Sequence, residues 1–185
     1  MQSEKKLKYS KKQIMIGVAG IIIMLIGIGI LSVMGFRKIR RDLHRQKLMQ
    51  ENIVVAIPEL HIKAPVLEGT EQEVLREGAG HFIGTGAIGQ GNYCIAAHSS
   101  AIYKEYFNNL KNVENGMEIF LYRPNDTYET YTVIDSFIVE PNETWVLDDF
   151  GDCRVTLVTC TDDGSQRRIV VGTLKNDLDA SDLKR

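Results

Sequence analysis

The chain has 185 residues, of which 44% are hydrophobic and 25% are charged, and its formal net charge is −2. This composition fits one ordinary globular domain with an appendage. The small net charge conceals an asymmetry, because residues 1–47 hold eleven Lys and Arg against two carboxylates, a net +9, while the remainder carries −11. A basic end attached to an acidic body favours membrane attachment and excludes nucleic acid as a partner, since its phosphates need a basic patch.

An apolar run extends from residue 14 to residue 36 and is interrupted only by Ser32. At about 1.5 Å per helical residue, these 23 residues can cross a hydrocarbon core of about 30 Å. A cleaved signal peptide would have a shorter apolar region and a small-residue cleavage site, whereas Arg37 and Lys38 follow directly here. We therefore predict a transmembrane anchor over residues 14–36, a short basic tail over 1–13 and a helix or linker over 37–52. Both flanks are positive, so the distribution of Lys and Arg leaves the orientation open.

From residue 53 the chain changes to short β-type runs separated by turn residues. The pattern predicts strands over residues 53–57, 60–67, 92–97, 117–122, 128–139, 153–160 and 167–175. Residues 71–77 and 102–109 resemble short helices, and residues 78–91, with six glycines, are predicted to be loop. About eight short strands with little helix predict a mainly-β domain over residues 53–175, an antiparallel or mixed barrel. Residues 176–185 form a polar tail.

The three cysteines, Cys94, Cys153 and Cys160, do not form the dense pattern of a disulfide-stapled scaffold. Their spacings match no zinc motif, and their odd number predicts at least one free thiol. Taken alone, each cysteine is more often a buried core residue than a reactive one.

Three chemically active side chains lie at predicted strand ends. Cys160 closes the run Thr156-Leu157-Val158-Thr159-Cys160, His98 follows the strand over 92–97, and Arg167 opens the last strand. A thiol, an imidazole and a guanidinium are the groups needed for cysteine-based acyl transfer. Taken alone, His98 would be a polar loop residue and Arg167 a partner of nearby Asp162 or Asp163, so it is their combination that predicts a site.

Several motifs, in order along the chain, resemble the sortases, the membrane-anchored cysteine transpeptidases of Gram-positive bacteria. They are Ala64-Pro65-Val66, Gly78-Ala79-Gly80-His81-Phe82, Gly91-Asn92 through His98, Pro141 with Val146-Leu147, and the run ending at Cys160. The resemblance covers residues 53–175 and is nearest class D, then class A. It implies an eight-stranded sortase-type β-barrel after an N-terminal transmembrane helix. It also implies a cytoplasmic N-terminus and an extracellular catalytic domain.

The resemblance further implies catalysis by Cys160, His98 and Arg167. The substrate would carry a C-terminal sorting signal of the Leu-Pro-x-Thr-Gly type, and the acceptor would be an amine of a peptidoglycan precursor or a pilin. No cofactor is implied, and a calcium site is doubtful because residues 83–91 contain no carboxylate. Arg168 is the alternative to Arg167, since neighbours on a strand face opposite sides.

Secondary candidates surround these three residues. Thr159, Trp145 and Ser99 are expected to support the cysteine or to contact substrate, and His81 is expected near the groove. A second hypothesis from another class is a membrane-tethered binding module that keeps the barrel without turnover or needs an activating partner. A papain-like hydrolase is excluded, because its cysteine starts a helix and precedes its histidine in the chain.

Overall fold

A computed structural model describes residues 11–99 and 106–175, which fall into a unit ending at His44 and a second unit beginning at Arg45. Helix α1 (Lys11–Glu51) accounts for the described part of the first unit and contributes its last residues to the second. The segment 37–52, predicted as helix or linker, is helical as far as Glu51. Asn52 then ends the helix by donating its backbone N–H and its side-chain Nδ2 to the Leu48 carbonyl.

From Gly20 onward, α1 is long and apolar enough to cross a membrane. Its large apolar side chains are exposed, among them those of Ile21, Leu25, Leu31 and Phe36. A helix that presents apolar side chains all round is suited to apolar surroundings, such as the interior of a bilayer. This finding agrees with the predicted anchor, while the orientation of the anchor stays a prediction.

The second unit contains a closed barrel of eight strands in the order β1-β2-β3-β4-β7-β8-β6-β5, as the resemblance implied. The strands are β1 (Ile53–Ile57), β2 (Ile62–Glu68), β3 (Ala79–His81), β4 (Asn92–Ala96), β5 (Glu118–Tyr122), β6 (Tyr128–Val139), β7 (Arg154–Cys160) and β8 (Arg167–Leu174). Helix α2 (Gln72–Glu77) precedes β3, and 3-10 turns occupy Pro58–Leu60, Asn108–Asn112 and Trp145–Leu147. Of the predicted short helix over 102–109, residues 102–105 lie outside the described residues.

Strand β7 lies between β4 and β8, and it pairs differently with each of them. It runs parallel to β4, with Ala96 opposite Val158, and antiparallel to β8, with Cys160 opposite Arg167. The first residues after β4 and the last residues of β7 therefore meet at one end of the barrel, and β8 begins at that same end. This topology sets the position of the candidate site.

Apolar side chains form two separate clusters on the two sides of this sheet region. The interior cluster fills the barrel and includes Val55, Ile95, Tyr131, Leu157 and Val170. The outer cluster lies on the outside of β4, β7, β8 and β6; its buried members are Ala96, Val146, Val158, Ile169 and Val171, and Phe82, Phe137 and Leu147 pack against it. The alternation of side chains along each strand explains the division, since Leu157 faces inward and Val158 outward. The outer cluster is covered by the 3-10 turn Trp145–Leu147, which we call the covering turn.

The glycine-rich segment 78–91 is not all loop, and in this respect the prediction was wrong. Residues 79–81 form β3, which pairs with β2 on one side and β4 on the other. A side chain at Gly80 would place its Cβ 2.1 Å from the Gly69 carbonyl oxygen. The glycine is therefore needed for close approach of two backbones inside a strand, which a composition-based reading takes for a loop.

The side chain of Asn92 joins the covering turn to the barrel. Its Nδ2 donates to the carbonyls of Val146 at 3.0 Å and Asp148 at 2.9 Å, and its Oδ1 accepts from Thr156 Oγ1 at 2.7 Å. The residue is only 1% exposed. All three bonds lie away from water, so removal of the amide would leave buried polar groups without partners.

We predict that Asn92→Ala lowers the free energy of unfolding by about 2–4 kcal/mol, because each lost buried hydrogen bond is worth roughly 1 kcal/mol and its partners stay desolvated. Asn125→Ala is the matched control, since Asn125 is exposed and bonds only within its own turn to Thr127. We expect that control to lose less than about 1 kcal/mol. Urea denaturation of both variants measures the difference, and equal losses would contradict the role assigned to Asn92.

Candidate active site

Cys160 is the last residue of β7, and its side chain belongs to the outer face of the sheet. It follows Val158, a member of the outer cluster, by two residues, whereas Leu157 and Val155 belong to the interior cluster. Residues two apart on a strand share a face, so the thiol projects outside the barrel, at the end of the outer cluster. The residue is partly exposed, as a nucleophile that must reach a substrate has to be.

His98 follows β4 by two residues and is partly exposed. The parallel ladder pairs Ala96 with Val158, and Ala97 continues it by donating its N–H to the Val158 carbonyl at 3.1 Å. When this register is extended by two residues, His98 comes opposite Cys160, on the strand spacing of about 4.8 Å. The described structure thus brings the imidazole-bearing and thiol-bearing segments side by side.

Arg167 is the first residue of β8 and pairs directly with Cys160. Cross-strand partners in an antiparallel pair project to the same face, so Arg167 shares the face of the thiol. Arg168 pairs with Thr159 instead and belongs to the opposite face. The register therefore favours Arg167 over Arg168 as the arginine beside the cysteine.

The guanidinium of Arg167 is held by backbone oxygens. Its Nη1 donates to the carbonyls of Gln166 at 3.0 Å and Gly164 at 3.3 Å. The acidic neighbours considered as partners for it are engaged elsewhere: Asp162 binds Lys111 Nζ at 2.8 Å, and Asp163 accepts from Thr161 and Ser165. Arg167 thus lies beside the cysteine without a carboxylate to neutralise it among those contacts.

Thr159 is 4% exposed and belongs to the face opposite Cys160. Its Oγ1 donates to the Ala97 carbonyl at 2.7 Å, across the parallel pair and one residue before His98. This contact makes Thr159 a tie between the cysteine strand and the histidine segment, away from the surface on which a peptide would lie. Ser99 follows His98 and is partly exposed, and the chain after it lies outside the described residues until Tyr106.

Trp145 begins the covering turn and stacks on Phe137 of β6, with ring centroids 5.8 Å apart and an interplanar angle of 2°. The two rings line a cavity of about 200 Å³ together with Val146, Ile169 and Val171. Thr156 also lines it, so the cavity lies on the Cys160 face of β7, four residues, or about 13 Å, back along the strand. A peptide running from the thiol along the outer cluster would reach Trp145.

The remaining thiols and one histidine lie in different surroundings. Cys94 is fully buried, and burial raises the pKa of its thiol to about 12, which keeps it protonated and unreactive. His81 pairs with Ile95 of the interior cluster, so it occupies the opposite face from Cys160, and the expectation that it lies near the groove was wrong. It bonds Glu68 Oε2 through Nδ1 at 3.0 Å and stacks on Tyr93.

Within residues 11–99 and 106–175, no group of three or more His, Cys, Asp or Glu side chains is arranged to hold a metal ion. Two contributors to the site were missed by sequence reasoning. Asn92 reads as a strand boundary, and Phe137 as one of several apolar strand residues. Only the pairing of β4 with β7 and of β6 with β8 shows that both residues face the outer cluster.

Comparison with known proteins agrees with this arrangement. Residues 55–175 match the model of the sortase domain. The chain is 31% identical to sortase A of Bacillus anthracis over 122 residues, which is 65% of this chain and 58% of that protein. It is 34% identical to sortase A of Streptococcus agalactiae serotype III (strain NEM316) over 123 residues, which is 63% of this chain and 49% of that protein. The chain thus spans about half the length of the relatives it matches.

Among solved structures, the pilus-related sortase C of Group B Streptococcus is similar with a TM-score of 0.61 and 30% identity, over 68% of each chain. The matched region contains the barrel and all three strand-end residues. From residue 55 to residue 175, sequence and fold agree with one family, and the chain belongs to the sortases.

Proposed function

We propose that this chain is a cysteine transpeptidase that cleaves a C-terminal sorting signal and transfers the new acyl end to an amine. The observation that carries the proposal is the register of β7, which sets Cys160 directly opposite Arg167 and, by continuation of the parallel ladder, beside His98. These side chains provide a nucleophile, a general acid and base, and fixed hydrogen-bond donors on one exposed face.

In the first half of the reaction, the thiolate sulfur of Cys160 attacks the carbonyl carbon of the scissile amide. As the carbon–nitrogen bond breaks, protonated His98 gives its proton to the departing amine, and the acyl group remains on sulfur as a thioester. Arg167 donates to the oxygen that gains negative charge, or to a neighbouring peptide carbonyl. Loss of such a donor typically costs about 3–4 kcal/mol.

In the second half, a primary amine attacks the thioester carbon and neutral His98 accepts the proton that the amine loses. The carbon–sulfur bond breaks, a new amide forms and the thiolate is regenerated. The proposed substrate signal is of the Leu-Pro-x-Thr-Gly type. The proposed acceptor is an amine of a peptidoglycan precursor or a pilin, and the similarity to a pilus-related sortase supports keeping pilins in that set.

The proposed topology is a single-pass anchor through α1 with a cytoplasmic N-terminus and an extracellular barrel. The apolar length of α1 supports the anchor. Trp145, on the covering turn, is proposed to contact the part of the signal that lies away from the thiol, because it lines the cavity on the Cys160 face. Ser99 is proposed to contact substrate beside His98.

The first test uses the full-length chain in detergent, a Leu-Pro-x-Thr-Gly peptide, the same peptide scrambled, and a panel of primary amines. We expect cleavage and amine transfer with the ordered peptide only, and a thioester mass adduct on Cys160. Cys160→Ala should abolish both while leaving the melting temperature unchanged. Binding of the peptide without any turnover would instead favour a tethered binding module.

The second test compares Arg167→Ala with Arg168→Ala, a matched pair of neighbouring arginines on opposite faces of β8. We expect Arg167→Ala to lower kcat/KM by about 100-fold or more, corresponding to ~3 kcal/mol of lost transition-state stabilisation. Arg168→Ala should stay within about threefold of the unmodified chain, because its side chain is on the face of Thr159. Steady-state kinetics decide the matter, and a larger loss in Arg168→Ala would reverse the assignment.

A further inference from the structure

The turn that joins β7 to β8, residues 161–166, supplies both oxygens that hold Arg167. The Nη1 of the arginine carries the two hydrogen bonds that its guanidinium makes within the described residues, to Gly164 and Gln166. Nη2 and Nε of Arg167 are therefore left to donate to a substrate oxygen. The direction of the guanidinium depends on where the turn places those two carbonyls.

The carboxylate of Asp163 organises that turn from its centre. Its Oδ1 accepts from Thr161 Oγ1 at 2.6 Å and from the Ser165 N–H at 3.1 Å, and its Oδ2 accepts from Ser165 Oγ at 2.7 Å. These donors lower the pKa of Asp163 to about 2, so it is ionised at any ordinary assay pH. The bonds join the start of the turn to its end through a single side chain.

The effect of Asp163 extends to the two carbonyls through Thr161. Once fixed by Asp163, Thr161 Oγ1 accepts from the Gln166 N–H at 3.1 Å, and the Thr161 N–H donates to the Gln166 carbonyl at 3.1 Å. The Gly164 N–H donates to the Thr161 carbonyl at 2.8 Å. Both residues that bind Arg167 are thus bonded to the residue that Asp163 holds.

Two further contacts attach the turn to neighbouring elements. Lys111, in the turn Asn108–Asn112, pairs with Asp162, and Gln166 Nε2 donates to Glu140 Oε1 at 2.8 Å. Both contacts are exposed to solvent, where such pairs contribute little. The internal bonds of Asp163 therefore dominate the shape of the turn.

We propose that Asp163 is a positioning residue for the acyl-transfer reaction, and that it acts by holding the β7–β8 turn in the shape that aims the Arg167 guanidinium at the substrate. The inference rests on the proposed function. It differs from a merely structural role in one respect: the effect of Asp163 on catalysis has to pass through Arg167.

The experiment measures kcat and KM for peptide transfer by the full-length chain carrying Asp163→Ala, Asp163→Asn or Asp162→Ala. We expect Asp163→Ala to lower kcat/KM about tenfold. Asp163→Asn should keep it within about threefold, because its amide oxygen still accepts from Thr161 and Ser165. Asp162→Ala removes the same charge from the same turn but only an exposed pair, so it should stay within about twofold.

Each Asp163 variant is then repeated in an Arg167→Lys background. Lysine lacks the planar fork of donors, so we expect Asp163→Ala to change the residual activity by less than about twofold there. A tenfold loss that persists in this background, or a normal kcat/KM for Asp163→Ala in the original chain, would overturn the inference alone. A lack of Cys160-dependent turnover in the unmodified chain would overturn the proposed function and this inference together.

Discussion

The position of β7 between a parallel neighbour and an antiparallel one is the constraint on which the rest of the site depends. A parallel pair brings two strand exits to the same end, and an antiparallel pair brings an exit opposite an entrance. Cys160, His98 and Arg167 come from distant parts of the chain, yet they occupy one exit, one extension and one entrance at that end. A shift of β7 by one residue against either neighbour would move the thiol to the interior face.

The contacts around this end of the barrel hold the register rather than the reacting atoms themselves. Thr159 joins β7 to the residue before His98, and Asn92 joins β4 to the covering turn and to Thr156. Both side chains are buried, so their hydrogen bonds are protected from competition with water. The reactive groups remain partly exposed while their supports are not.

Much of the fold could be predicted from the local pattern, because β-branched alternation and turn residues act over short distances. The strands over 53–57 and 128–139 agree with β1 and β6 at both ends. β3 could not be predicted, since Ala79, Gly80 and His81 have no strong strand preference and become a strand only by pairing with β2 and β4.

The site was predictable to a different extent. The identity of the strand-end residues was visible because their types and order resemble a family. Which arginine shares the face of Cys160 depended on the pairing of β7 with β8, a contact between strands that no local pattern contains. The same holds for Asp163, which in the sequence is one of two adjacent acidic turn residues and differs from Asp162 only in what it bonds.

The outer cluster has a consequence for how such a domain can diversify. It is a second, smaller apolar layer that shares the sheet with the main core but packs on the other side, under the covering turn. Changes at Trp145 or Phe137 would reshape the surface beside the thiol while the barrel filling of Ile95, Tyr131 and Leu157 stays intact. Descendants of one ancestral barrel could therefore acquire new peptide preferences by drift in this layer, without first passing through an unfolded intermediate genotype.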